Sequence, residues 1–134
     1  MSHENVEVVR RGFAAANAAD WDAVVDGYDP EVEFRDLRPT PDMPGVLHDH
    51  AGIRRVLALW TEVYEEFGAE VYEYVDADPW VICDTRWHGK AKGSDVHIEN
   101  RVADAYEVRD GRIVRAIMSF PDVATALKTV GLAE

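Results

Sequence analysis

Two carboxylates stand where a carboxylate needs a physical reason. Asp104 lies within Val102-Ala103-Asp104-Ala105-Tyr106, in the middle of a strand-like apolar run, so it either faces solvent or is buried with its oxygens satisfied. Asp36 falls where a short strand gives way to a loop carrying Pro39, Pro41, Pro44 and Gly45. A carboxylate there either caps the following turn or sits at a cavity mouth, partly shielded from water, where its acidity is adjustable. Two such groups together suit acid–base work on a bound molecule. The histidines offer less. His48-Asp49-His50 has the His-x-His spacing of a metal site, with His88 and His97 elsewhere, but no third and fourth ligands follow at an expected spacing. These read as ordinary polar loop residues, and neither a metal nor a cofactor is expected; metal-assisted hydrolysis through His48 and His50 is the alternative they leave.

The composition narrows the partners. Among 134 residues, 14 Lys and Arg stand against 26 Asp and Glu, a formal charge of −12, which disfavours a grip on phosphate backbones or anionic lipid. Nucleic acid and membrane surfaces are therefore not expected. A 47% hydrophobic content, with four Trp, five Tyr and four Phe, supplies a sizeable core and fits one domain over residues 1–134. Cys83 is the only cysteine, so an intrachain disulfide is excluded and a reducing compartment fits. No apolar run approaches the roughly 20 residues of a membrane span, and the first residues lack a secretory core, so the expected location is cytoplasmic. Glu62, Glu65, Glu66, Glu70, Glu73, Asp76, Asp78 and Asp84 form a stretch without Lys or Arg, which reads as a solvated outer face.

The elements that must position the two aspartates follow from periodicity. Val6, Val9, Phe13 and Ala16 recur at helical steps, predicting a helix over 3–18, and Asp20 caps a second over 21–27. A short strand over 31–35 leads into the loop over 36–49. Ile53, Val56, Leu57, Trp60, Val63, Tyr64 and Phe67 form the cleanest helical stripe, ended by Gly68. Alternation then predicts strands over 69–75, 80–88, 96–108 and 112–120, with Asp110-Gly111 as a tight hairpin, and a last helix over 122–130. Helices first and strands later predict an α+β domain: a curved antiparallel β-sheet wrapped around N-terminal helices, with a cone-shaped cavity between them.

The segment Ala-Asp-Trp-Asp-Ala-Val-Val-Asp-Gly-Tyr-Asp-Pro-Glu-Val-Glu-Phe-Arg-Asp over 19–36 resembles the entry motif of the nuclear transport factor two-like superfamily. The resemblance continues through Gly52-Ile53-Arg54-Arg55-Val56-Leu57, Asp110-Gly111-Arg112-Ile113-Val114 and Ala126-Leu127 to Gly131-Leu132, the last typical of SnoaL-like domains. It implies a cystatin-like α+β barrel and a fold that carries ketosteroid isomerases, polyketide cyclases, dehydratases, epoxide hydrolases and binding-only members, so the residues must decide the activity. Counting from Tyr28 places Asp36 where the steroid isomerases keep their general base. Asp104 falls where they hold a protonated acid that donates to an enolate oxygen. Gly12 stands where they place a first-helix tyrosine, which argues against a faithful ketosteroid isomerase; Tyr106 or Tyr64 is the candidate substitute hydroxyl. Arg101 is three positions from Asp104 and so on the opposite strand face unless a bulge intervenes.

Phe13, Trp60, Tyr64, Trp87, Tyr106, Met118 and Phe120 are the candidate walls of a substrate cavity, suited to a small apolar or aromatic molecule. The resemblance also implies a homodimer through the outer sheet face. Two readings follow: a cofactor-free isomerase, cyclase or dehydratase acting on an apolar carbonyl compound through Asp36 and Asp104, or a non-catalytic ligand-binding or dimerisation module.

Overall fold

In the computed structural model, which describes residues 2–39 and 43–131, the chain runs α1 (Ser2–Asn17), α2 (Trp21–Asp26), β1 (Tyr28–Asp36), β2 (Val46–His48), α3 (Asp49–Val63), β3 (Tyr64–Ala77), β4 (Trp80–Ala91), β5 (His97–Arg109), β6 (Arg112–Phe120) and α4 (Val123–Thr129). Pro41 and Leu132 of the sequence reading lie outside the described residues. Helices α2 and α4 start where short acids can satisfy their free N–H groups: Asp20 accepts from the Ala23 amide at 3.3 Å, and Asp122 from Thr125 at 2.7 Å. At the β5–β6 hairpin Asp110 and Gly111 have φ of 52° and 79°, both left-handed, as a two-residue turn that matches strand twist requires.

The six strands form one curled, unclosed sheet in the order β2-β1-β6-β5-β4-β3. Neighbours are antiparallel except β1 and β6, which run parallel because α2 delivers the chain to β1 at one end of the sheet and the other strands follow as a meander. The inner face packs on α1, α2 and α3 through Val9, Phe13, Val25, Ile53, Val56, Val81, Cys83 and Tyr106. On the outer face a second cluster, Trp80, Ile82, Ala103, Ala105 and Phe120, lies under Ala126 of α4.

Three expectations about local structure change. Helix α3 stops at Val63, so Tyr64 and Phe67 are strand residues: Tyr64 is extended (φ −118°, ψ 145°) and pairs with Ala91, while the Lys92 amide bonds the Val63 carbonyl at 3.1 Å. Pairing with β4 gives the chain beyond Val63 a new set of backbone partners, and that outweighs a helical spacing carried by two aromatic residues. The loop after Asp36 contains the three-residue edge strand β2, too short to leave a pattern. Phe120 belongs to the outer cluster rather than the cavity wall, because a bulge between Ala103 and Ala105 sets Met118 and Ser119 of β6 against Asp104 and reverses the alternation that Met118 begins.

The acidic stretch is largely exposed, and part of it sits in ion pairs: Glu70 with Arg86, which also holds Glu99 of β5, Glu65 with Lys90, and Asp84 with Arg101. Arg101 reaches Asp84 with two nitrogens at 2.8 and 2.9 Å on the face opposite Asp104, as unshifted β4–β5 pairing requires.

Candidate active site

Asp36 ends β1 beside Met118 of β6, and Asp104 lies opposite Met118 and Ser119 on β5. The two carboxylates are therefore separated by one intervening strand, about 10 Å between backbones. Both line one cavity of about 430 Å³ whose walls include Trp60, Tyr64, Phe67, Trp87 and Met118.

Their surroundings differ. Asp36 stands at the mouth, its Oδ1 accepting the Arg38 amide at 2.9 Å while its own N–H donates to the Gly45 carbonyl at 2.9 Å. The turn-capping and cavity-mouth readings of Asp36 thus hold together. Asp104 is 0% exposed and accepts two hydrogen bonds, from Trp87 Nε1 to Oδ2 at 2.8 Å and from the Ser119 amide to Oδ1 at 3.0 Å. The bulge explains the second bond: Ser119, with φ of 76°, is the extra residue, and its N–H leaves the ladder for the carboxylate. Burial raises Asp104 from 3.8 to about 6 and the nearby Asp36 charge adds to this, while the Ser119 and Trp87 bonds pull the other way.

Below this cavity, and sharing Trp60, Phe67, Trp87 and Met118 with it, is a narrower chamber of about 50 Å³ lined by Gly12, Phe13, Tyr28 and Tyr106. A Cβ at Gly12 would meet nothing within 4 Å, so the absent first-helix side chain leaves open space. Neither the Tyr28 nor the Tyr106 hydroxyl has a hydrogen-bond partner among the described residues. Burial raises both phenols, with the Asp104 charge next among the causes, so both stay protonated donors.

Of the candidate wall residues, Trp60, Tyr64, Trp87 and Met118 line the outer cavity, Phe13 and Tyr106 only the inner chamber, and Phe120 neither. Phe67 completes the wall, stacked on Trp87 at 5.5 Å and 16°. The histidines are dispersed. His50 Nε2 lies 2.7 Å from the Tyr28 carbonyl, and Asp49 accepts from the Gly52 amide. No group of three His, Cys, Asp or Glu side chains that could hold a metal ion is present among the described residues. Sequence reasoning missed Tyr28 as a cavity hydroxyl, Ser119 as a partner of Asp104, and the pairing of Trp87 with that acid. Tyr28 was visible in the entry motif, whereas a bulge leaves no signal in a single sequence.

A curled sheet over three helices, with ionisable groups inside the cone, is the architecture of the nuclear transport factor two-like superfamily. Within it, the chain belongs to the SnoaL-like domain family, whose sequence model matches residues 9–116. Solved structures of the same fold include TerC crystallised with polyporic acid, 19% identical over 93% of this chain and 96% of that one, with a TM-score of 0.76. A protein with a ketosteroid isomerase-like fold from Catenulispora acidiphila DSM 44928, in complex with trimethylamine, is 16% identical over 95% and 94%, with a TM-score of 0.74. A protein with a cystatin-like fold from Xanthomonas campestris is 18% identical over 91% and 94%, with a TM-score of 0.76. At these identities the likeness is one of fold. No curated protein matches the sequence.

Proposed function

We propose that this protein binds a small, largely apolar carbonyl compound and moves a proton on it without a cofactor, as an isomerase, cyclase or dehydratase. The observation that carries this reading is the convergence of Asp36 and Asp104, in unlike surroundings, on one aromatic-walled cavity. Asp36, at the wetter end, takes the proton next to the carbonyl. Asp104, in its protonated form, and the hydroxyls of Tyr106 and Tyr28 donate hydrogen bonds to the oxygen on which charge develops. A ligand that expels water from the cavity raises Asp104 further and favours that form. The small ligands bound by two proteins of the same fold are in keeping with this use of the cavity.

The test needs no knowledge of the natural substrate. Incubating 4-acetylbiphenyl and related ketones with the protein in D₂O and following loss of the α-proton signal by NMR reads proton transfer directly. Exchange above the buffer rate is expected, with Asp36→Asn lowering it roughly 10²- to 10⁴-fold. Exchange that Asp36→Asn leaves untouched removes Asp36 as the base.

A binding-only role is the second reading, favoured by the local hydrogen bonds that already occupy both aspartates. It predicts saturable binding of the same ketones with no exchange. A homodimer through the outer sheet face and a cytoplasmic location belong to the same proposal; the first would use the part of that face α4 leaves uncovered, and the second rests on the unpaired, buried Cys83. Among the described residues no helix is long and apolar enough to cross a membrane.

A further inference from the structure

We propose that the ligand is an organic acid, a flat apolar body bearing a carboxylate, and that Arg38 receives its anionic end. The proposal rests on reading the cavity as a small-molecule site and names the class of molecule it takes. Arg38 is the only Lys or Arg in the described lining of the 430 Å³ cavity. Its guanidinium makes one hydrogen bond, from Nη2 to Oδ1 of Asn100 at 3.0 Å, across 62 positions of sequence. Asn100 is neutral, so it orients the guanidinium without cancelling its charge.

No carboxylate of the lining answers that charge. The Asp36 carboxylate accepts the backbone N–H of Arg38 at 2.9 Å, and no ion pair joins it to the Arg38 guanidinium among the described residues. Glu99 is held by Arg86 Nη1 at 2.8 Å, and Asp104 by Trp87 and Ser119. Elsewhere Arg10, Arg54, Arg86 and Arg101 each pair with a carboxylate, as expected in a chain with 26 acids. A guanidinium offers five N–H donors in a planar fork that matches a carboxylate, and one of the five is in use. With Trp60, Phe67 and Trp87 as the apolar wall, the cavity presents a cationic fork beside a flat surface. The net charge of −12 works against anions at long range, so the fork contributes selectivity at contact rather than attraction from a distance.

Three compounds on one frame test this: biphenyl-4-carboxylate, the neutral ketone 4-acetylbiphenyl and the ammonium of 4-phenylbenzylamine, titrated calorimetrically into the protein at pH 7 and low salt. The carboxylate is expected to bind about tenfold or more tightly than the ketone, as charge-assisted hydrogen bonds allow, and the ammonium most weakly. Arg38→Met should abolish the preference, lowering carboxylate affinity about tenfold while ketone affinity stays within about twofold, which also shows that the variant is folded. Arg38→Lys should keep part of the preference. Equal or tighter binding of the ketone or the ammonium to the wild type, or an unchanged carboxylate affinity in Arg38→Met, overturns the proposal and leaves the ketone reading standing. Failure of all three to bind overturns both.

Discussion

Asp104 connects protonation to stability and to the proposed chemistry at once. Its folded value of about 6 lies above the 3.8 of an ordinary aspartate, so the folded protein holds this proton more tightly than the unfolded chain. Below about pH 4 both states are protonated and the group is neutral in the balance. Between about 4 and 6 the unfolded chain releases the proton first, so stability falls as pH rises, by about 3 kcal/mol in all. Urea melts across this window should show that loss in the wild type and not in Asp104→Asn. If protonated Asp104 is the donor, kcat/KM for any substrate declines tenfold per pH unit above about 6, and Asp104→Asn, whose amide donates at every pH, flattens that limb. A limb that rises through the same pH would instead make Asp104 the base. Trp87→Phe removes a bond that favours the ionised form while a ring remains to pack on Phe67, so the limb should move to higher pH.

At the scale of elements, two irregularities shape the site. The β6 bulge delivers the Ser119 amide to Asp104 at the cost of a left-handed serine. Ser119→Gly keeps that N–H and relieves the strain, so chemical denaturation should find it neutral or stabilised by up to about 1 kcal/mol. The second lies where α1 meets the edge strand β3. There Asn17 takes the place of a neighbouring strand, accepting from the Ala69 amide at 2.8 Å and donating to the Ala69 carbonyl at 2.9 Å. Asn17→Ala should cost about 1–2 kcal/mol in the same assay. Gly68→Ala should destabilise for a related reason, since its Cβ would lie 2.8 Å from Asn17 Oδ1.

For the whole molecule, the outer sheet face decides the proposed dimer. Part of it is closed by α4 over Trp80, Ile82 and Phe120; the rest carries the ion pairs of Arg86 and Arg101, with Arg101 4.1 Å above the Tyr72 ring. A dimer through that remaining face would bury charge pairs around one aromatic ring, so it should loosen with salt. Sedimentation equilibrium at low and high salt checks this. A monomer at every concentration would remove the outer face as an interface.

The sequence alone determined the α+β class, the helical stripes of α1 and α3, the β5–β6 turn and the two aspartates worth attention, because periodicity, turn chemistry and a charge within an apolar strand are local signals. It also pointed to Trp60, Trp87 and Met118 as wall residues. Only the tertiary structure decided that Asp36 and Asp104 share a cavity and that Phe120 does not, since both depend on strand order and on one bulge between β5 and β6. The partners of Asp104 lie 17 residues before it and 15 after it, and the acceptor for Arg38 is 62 residues away. The composition had marked an acidic chain; packing buried one acid completely, Asp104 at 0% exposed, and left one guanidinium in the cavity lining, because burial acts on where a side chain ends up in the fold.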